Sequence, residues 1–223
     1  METISGAVVI GAGVMGSALA QHIAEYGFPV WNAARRAAGE LARELPAAIT
    51  AVNIADISSL PDGTAVILAI PLSAVATIPP EVGAGRILID VANYWPRLDS
   101  ASEFATHPRD SSLGVATHFA HAHVAKTLNH LAFDALAFDA RPPGSPDRRA
   151  QAVAADDQRV RSAVMDFVNT LGFDPVDAGP LKNGRLFAPG TTIFNGGWRD
   201  ATSMRRVLER HLRNSAGTSR QSL

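Results

Sequence analysis

The chain has 223 residues, 20 Lys+Arg against 21 Asp+Glu, 47% hydrophobic residues and no cysteine. At roughly 150 residues per domain that length predicts one domain with an appendage, long enough to bury a core without covalent staples. The composition excludes a disordered chain, a disulfide scaffold, a thiolate metal site and a cysteine nucleophile. The formal charge of −1 lacks the basic excess of a nucleic-acid binder.

The N-terminus is apolar but has no basic n-region, and glycines interrupt the run, so no signal peptide is expected. No apolar stretch is long enough for a membrane span. A cytoplasmic protein without a membrane or nucleic-acid partner is the expectation. Only Lys126 and Lys182 are lysines, an arginine bias that points to genome composition rather than function.

In chain order, short β-branched runs at Ile4–Ile10, Val30–Ala33, Ile49–Ile54, Ala65–Ile70 and Arg86–Val91 predict strands. Met15–Tyr26 has Leu19, Ile23 and Tyr26 at helical spacing, with Gly27 placed to end it. Arg36–Leu45 predicts a second helix, stopped by Pro46. Strands apolar on both faces and alternating with helices imply a parallel sheet covered on both sides. Further on, Ser111 or Ser112 is a candidate cap for a helix ending near Phe119, and His123–Thr127 reads as another buried strand. Arg141–Pro146 is a loop or boundary, followed by a strand at Ala150–Ala154. A helix opened by Asp156 and Asp157 then runs to Gly172. Phe173–Val176 continues the sheet, 179–197 reads as loop, Arg199–Leu212 as an amphipathic helix, and the tail from Ser215 as frayed. The fold class is α/β, a doubly wound, mostly parallel sheet expected over residues 1–140 with a small C-terminal extension over 141–223.

Chemistry concentrates first at Gly11-Ala12-Gly13-Val14-Met15-Gly16, between a strand and a helix. In a dinucleotide fingerprint the first glycine allows the tight turn, the second lets backbone approach a pyrophosphate, and the third lets helix and sheet pack closely. The free N–H groups of the helix start hold the phosphates. NAD-type sites carry an acid at the end of the second strand; here Ala34, Arg35 and Arg36 offer two guanidiniums and no acid, which suits a 2′-phosphate. The cofactor reading is NADP(H).

Ligands of such sheets lie beyond the carboxyl ends of the strands. That draws Ile70, Pro71, Asn93 and Asn129 to one crevice, the two asparagines as partners for a carboxamide or an acceptor ring. Tyr94 and Trp95 offer flat faces for stacking. Lys126 and His130 are the candidates for a proton donor, should the acceptor need one. His118, His121, His123 and His130 lack the spacing and companions of a zinc site, so no metal is assigned. Seven arginines against Asp200 and Glu209 in residues 185–223 would suit an anionic second cofactor, and equally a solvated helix.

These motifs resemble those of the NADPH-dependent reductases of the 8-hydroxy-5-deazaflavin coenzyme F420. The resemblance runs from Val8 to about Pro189. It rests on the glycine motif, Ala34-Arg-Arg36, Ala69-Ile-Pro71, Asp90-Val-Ala-Asn-Tyr-Trp-Pro96, Val124-Ala-Lys-Thr-Leu-Asn129, Asp139-Ala-Arg-Pro142 and Leu171-Gly-Phe-Asp-Pro-Val-Asp-Ala-Gly-Pro-Leu181. It implies a Rossmann domain holding NADP, a C-terminal part closing over the nicotinamide, direct hydride transfer to a stacked F420, and a homodimer. Ala34 stands where the family often has Ser. A reductase of another small acceptor (flavin, imine or carbonyl) and an NADP-binding sensor module are the alternatives.

Overall fold

The computed structural model describes residues 3–100, 110–197 and 199–218. Eight strands form one sheet: β1 Gly6–Ile10, β2 Val30–Ala33, β3 Ile49–Ala51, β4 Thr64–Leu68, β5 Ile87–Asp90, β6 His123–Lys126, β7 Ala150–Ala155 and β8 Asp174–Gly179. Their spatial order is β3-β2-β1-β4-β5-β6-β7-β8. The first six are parallel, β7 runs antiparallel to β6, and β8 is parallel to β7. The sequence-derived fold class therefore holds, with the order in which strands build outward from β1 and reverse between β1 and β4.

Both faces of the sheet are dry because the strands are apolar at successive positions. Ala7 and Val9 face one cluster with Leu19, Ile23, Val164 and Phe167, while Val8 and Ile10 face another with Leu72, Val115 and Phe119. Two long helices cover the first face, α1 (Val14–Glu25) and α7 (Gln158–Thr170). His22 of α1 fastens them together: its Nε2 lies 2.9 Å from the carbonyl of Leu171, just past α7. Asp157 caps α7 by accepting from the N–H groups of Arg159 and Val160, whereas Asp156 accepts from Leu181 N–H instead.

The remaining helices are short. They are α2 (Ala38–Leu41), α3 (Leu72–Val75), α4 (Pro96–Asp99), α5 (Ser111–His118), α6 (Ala135–Asp139) and α8 (Thr192–Asn195), followed by the longer α9 (Ala201–Thr218). The helix expected over Arg36–Leu45 contracts to the single turn of α2, because Arg36 turns its side chain to Glu44 instead of continuing a helical face. The third strand ends at Ala51, and Ile54–Ser59 is a 3₁₀ turn whose Ile57 is buried. α5 begins after Asp110 without a side-chain cap; Ser112, expected as a cap, donates to Asp90. The stretch 179–197, expected as loop, holds a 3₁₀ segment at Leu181–Phe187 and then α8. Ile193 and Phe187 pack with Met204 and Leu208 of α9 on β7 and β8, forming a third apolar cluster. The helix α9 continues through Ser215, where fraying was expected; residues 219–223 lie outside the described part. Among the described residues no helix is long and apolar enough to cross a membrane.

Candidate functional site at the reversal of the sheet

The turn between β1 and α1 is built by its glycines, each for a different reason. Gly11 has φ +128°, and a Cβ there would lie 2.3 Å from the carbonyl oxygen of Ala69. A Cβ on Gly16 would lie 2.2 Å from the carbonyl oxygen of Gly11, so this residue lets α1 start against the turn itself. Gly13 differs: it caps α1 in an extended conformation, and a Cβ on it would meet nothing within 4 Å. The fold thus demands glycine at positions 11 and 16, while the space above Gly13 is free for a ligand. Behind the turn, Asn32 donates through Nδ2 to the carbonyls of Val9 and Gly11, at 3.0 and 2.9 Å. This fully buried amide from β2 holds the turn's carbonyls inward, leaving the helix N–H groups to face out.

Arg35 and Arg36 follow β2 directly. Ala33 pairs with Ile10, and its carbonyl accepts the Gly11 N–H at 2.8 Å, so the arginines emerge beside the glycine turn. Arg35 is exposed. Arg36 reaches Glu44 with Nη1 and Nη2, each 2.5 Å from a carboxylate oxygen. Ala34 is half-buried at the strand end.

Beyond the carboxyl ends of β1, β4, β5 and β6 opens a cleft of about 590 Å³. Its walls include Gly13, Val14, Met15, Ile70, Pro71, Asn93, Asn129 and His130, so residues expected at one crevice from sheet topology do meet there. Trp95, Phe133 and Phe194 add aromatic faces to a mainly aliphatic lining, and Trp95 meets Phe194 edge-on with ring centroids 5.9 Å apart. Phe194 comes from α8, in the stretch read as loop. Tyr94 packs instead with the apolar cluster behind the sheet. The Trp95 loop is held by the fully buried Asp99, whose carboxylate accepts from Trp95 N–H and Ser73 N–H, both at 2.8 Å.

Two asparagines clasp the loops after β5 and β6. Asn93 Nδ2 donates to the Asn129 carbonyl at 2.7 Å, and Asn129 Nδ2 donates to Asn93 Oδ1 at 3.0 Å and to the Phe187 carbonyl at 2.9 Å. Those acceptors fix the amide orientation of Asn129, and its Oδ1 is buried without a donor among the described residues. Leu128 enables the clasp by adopting φ +58°, a left-handed conformation that costs a bulky residue strain and gathers at functional sites. Open space above Gly13 and an unanswered acceptor at Asn129 fit a dinucleotide whose pyrophosphate lies on the α1 start and whose carboxamide amine reaches the clasp.

The two proton-donor candidates lie differently. Lys126 is buried on β6, with Nζ 3.1 Å from Asp90 Oδ2 and hydrogen-bonded to the Ala92 carbonyl. Burial pulls its ammonium down and Asp90 opposes that; Asp90 also accepts from Ser112 Oγ at 2.7 Å and Ala92 N–H at 2.9 Å. His130 lines the cleft, and its Nε2 accepts the Ala152 N–H at 3.1 Å, which places the ring proton on Nδ1. Burial, helped by the nearby Arg149 charge, lowers its pKa from 6.5 to about 3, so the ring is neutral. Of the other histidines, His118 faces the Ile78 carbonyl at 2.8 Å, and His123 is exposed at the start of β6.

Asn32, Asp99, Arg149 and Phe194 were not singled out by sequence reasoning. Arg149, the one charged residue among the described walls, pairs with Asp139 at 2.6 Å. A buried Asn closing a strand next to a glycine turn was the available signal for Asn32; the others join the site only through tertiary folding. A second hollow of about 430 Å³ lies at the opposite, amino ends of the central strands, lined by residues that include Asp62, Thr64, Glu81 and Arg86. There the Arg86 guanidinium donates to the carbonyls of Ser58, Leu60, Pro61 and Thr64.

Comparison with known proteins bears on the N-terminal sequence and on the fold. Residues 7–94 match the family described as NADP oxidoreductase coenzyme F420-dependent, and the resemblance read from the motifs holds over that span. No curated protein matches the chain. Among solved structures, a hypothetical protein, SMa0349, from Sinorhizobium meliloti is 28% identical with a TM-score of 0.68, over 86% of this chain and 92% of that one. A provisionally named F420-dependent NADP-reductase from Arthrobacter sp. FB24 is 22% identical with a TM-score of 0.63, over 80% of this chain and 86% of that one. The reductive aminase of Aspergillus terreus, solved with NADPH and ethyl-5-oxohexanoate, shares the fold at 16% identity and a TM-score of 0.53; the match spans 81% of this chain but 57% of that one. Residues 7–94 thus resemble that family in sequence, and the chain shares the Rossmann-type fold of these structures.

Proposed function

We propose that the chain is an NADPH-dependent oxidoreductase passing hydride between NADP(H) and a deazaflavin of the F420 type. The observation that carries the reading is the cleft: a largely apolar slot with three aromatic side chains, adjoining the glycine turn and flanked by the Asn93–Asn129 clasp. In this assignment Gly11, Ala12, Gly13, Val14, Met15 and Gly16 hold the pyrophosphate. Ala34, Arg35 and Arg36 mark the end of β2 where the 2′-phosphate would come, and Ile70 and Pro71 bound the nicotinamide ribose. When bound, the reduced nicotinamide supplies the hydride. The chain's own part is to orient the two rings, exclude water and hold charge. Residues 1–140 take the nucleotide and 141–223 the acceptor side, the latter through Phe194 and the Phe187 carbonyl that steadies Asn129.

A conjugated acceptor suits these residues better than an imine or carbonyl, which needs a proton delivered as hydride arrives. Lys126 Nζ is engaged with Asp90 and a carbonyl, and neutral His130 has its Nε2 lone pair occupied. Lys126 therefore supports the Ala92–Asn93 turn, and His130 supports β7. The test is NADPH oxidation with deazaflavin, flavin and imine acceptors in parallel. Turnover with the deazaflavin is expected; turnover only with an imine would overturn the acceptor, and tight NADPH binding without turnover would favour a sensor.

A further inference from the structure

We infer that Glu44 masks Arg36, so that Arg35 alone reads the 2′-phosphate and Glu44 limits how strongly the chain prefers NADPH to NADH. The inference rests on the NADP reading above and deepens it by a residue which that reading does not use.

The paired arginines are not equivalent. The fork face of Arg36, the one that matches a phosphate, is filled: Nη1 and Nη2 each lie 2.5 Å from one oxygen of the Glu44 carboxylate. The bidentate pair raises the guanidinium and lowers the carboxyl relative to their ordinary values, and the Glu40 charge acts on Arg36 in the same direction. A 2′-phosphate approaching Arg36 thus meets a guanidinium whose charge and fork face are already answered. Arg35, one residue earlier, is exposed and makes no side-chain hydrogen bond or ion pair among the described residues. Its charge is the one available at the end of β2.

Local chain geometry holds the mask in place. α2 is a single turn, and the Arg36–Glu44 link spans it from the residue two before its start to the residue three past its end. Asn53 anchors the same turn by accepting Ala38 N–H at 3.0 Å. With side-chain exposures of 37% and 59% the pair stays open to water, so Glu44 can be changed without disturbing the core. Exposure also bounds the effect, since solvent and salt screen such pairs.

Nucleotide fluorescence titrations at low ionic strength test this on the wild-type chain, Glu44→Gln, Arg36→Ala, Arg35→Ala and the Glu44→Gln/Arg36→Ala double variant. Glu44→Gln should tighten NADPH about fivefold and leave NADH unchanged, the scale of an exposed charge contact. That gain should vanish in the double variant, because it acts through Arg36. Arg36→Ala alone should shift NADPH less than about twofold, and Arg35→Ala should weaken it about tenfold. Unchanged or weaker NADPH binding by Glu44→Gln would overturn the mask, since Glu44 would then serve to orient Arg36. An equal gain for NADH would overturn it too. If neither the wild type nor Glu44→Gln separates NADPH from NADH, the NADP reading itself fails. A wild type that prefers NADPH with an inert Glu44→Gln fails the mask alone.

Discussion

Gly13→Ala and Gly16→Ala should have opposite consequences, although the residues lie three apart in one motif. At Gly16 the added methyl would sit 2.2 Å from the Gly11 carbonyl oxygen and 2.8 Å from its carbon, more than 1 Å inside ordinary contact by rough reckoning. The obstacle is backbone of the turn, which cannot swing aside as a side chain would. Overpacking of this kind costs about 1–3 kcal/mol, and a rigid neighbour favours the upper end. For a chain of this size about 3 kcal/mol lowers Tm by roughly 6–12 °C. Gly13 has φ −82° and ψ −178°, which alanine adopts freely, and its methyl would meet nothing within 4 Å. The lost freedom of the unfolded glycine and the poorer helix cap roughly cancel, leaving Tm within about 2 °C. That methyl would nonetheless occupy the space through which a pyrophosphate reaches the α1 N–H groups, so NADPH should bind at least about tenfold more weakly. Calorimetry and nucleotide titration on both variants separate the effects. A Gly13→Ala protein that binds NADPH like the wild type, or a Gly16→Ala protein with unchanged Tm, would refute the reasoning.

Other consequences follow from the buried groups. Removing the charge of Lys126 leaves the buried Asp90 carboxyl without its countercharge, so Lys126→Met should cost about 3–5 kcal/mol in chemical denaturation. The Asp90→Asn/Lys126→Met double variant should recover part of that loss; equal loss in both would mean the pair is not what matters. His130 has a folded pKa of about 3 against 6.5 unfolded, so the unfolded chain takes up a proton between these values and the folded one does not. Stability should therefore fall with pH below about 6.5, by up to ~1.4 kcal/mol per pH unit from this residue, until about pH 3. In His130→Asn the slope between pH 6 and 4.5, read from urea unfolding, should be shallower by about one proton; an unchanged slope would contradict the neutral assignment. Removing the Asn129 amide by Asn129→Leu should loosen the Phe187 segment and weaken NADPH, seen as faster hydrogen exchange at 186–190 and a raised Kd; unaltered exchange would sink the clasp.

Much of this architecture is legible in the sequence because it is local. Strands buried on both faces leave unbroken apolar runs such as Ala7–Ile10, and a helix that must start against a strand leaves Gly11 and Gly16 in fixed places. The gathering of Pro71, Asn93 and Asn129 followed from topology alone, since they lie at the carboxyl ends of successive strands. What sequence could not supply depends on distant partners or very short elements. α3, α4 and α6 are one turn or slightly longer, too brief for periodicity. Phe194 reaches Trp95 across about a hundred residues of chain, and Arg149 enters the cleft because β7 reverses direction beside β6. Arg36–Leu45 misled because alanines and charges at helical spacing also serve a turn closed by an ion pair. The state of His130 was equally hidden, because it depends on which N–H its ring meets.

Direct transfer of hydride between nicotinamide and a deazaflavin in the cleft is the central claim, and isotopic tracing tests it. NADPH carrying deuterium at C4 is turned over by the wild-type chain with the deazaflavin in ordinary water, and the reduced acceptor is analysed by mass spectrometry and NMR. The account predicts deuterium on the accepting ring carbon from one face of the nicotinamide only, with no exchange into solvent. Deuterium lost to water, or no reduced deazaflavin from a chain that binds NADPH, would contradict it.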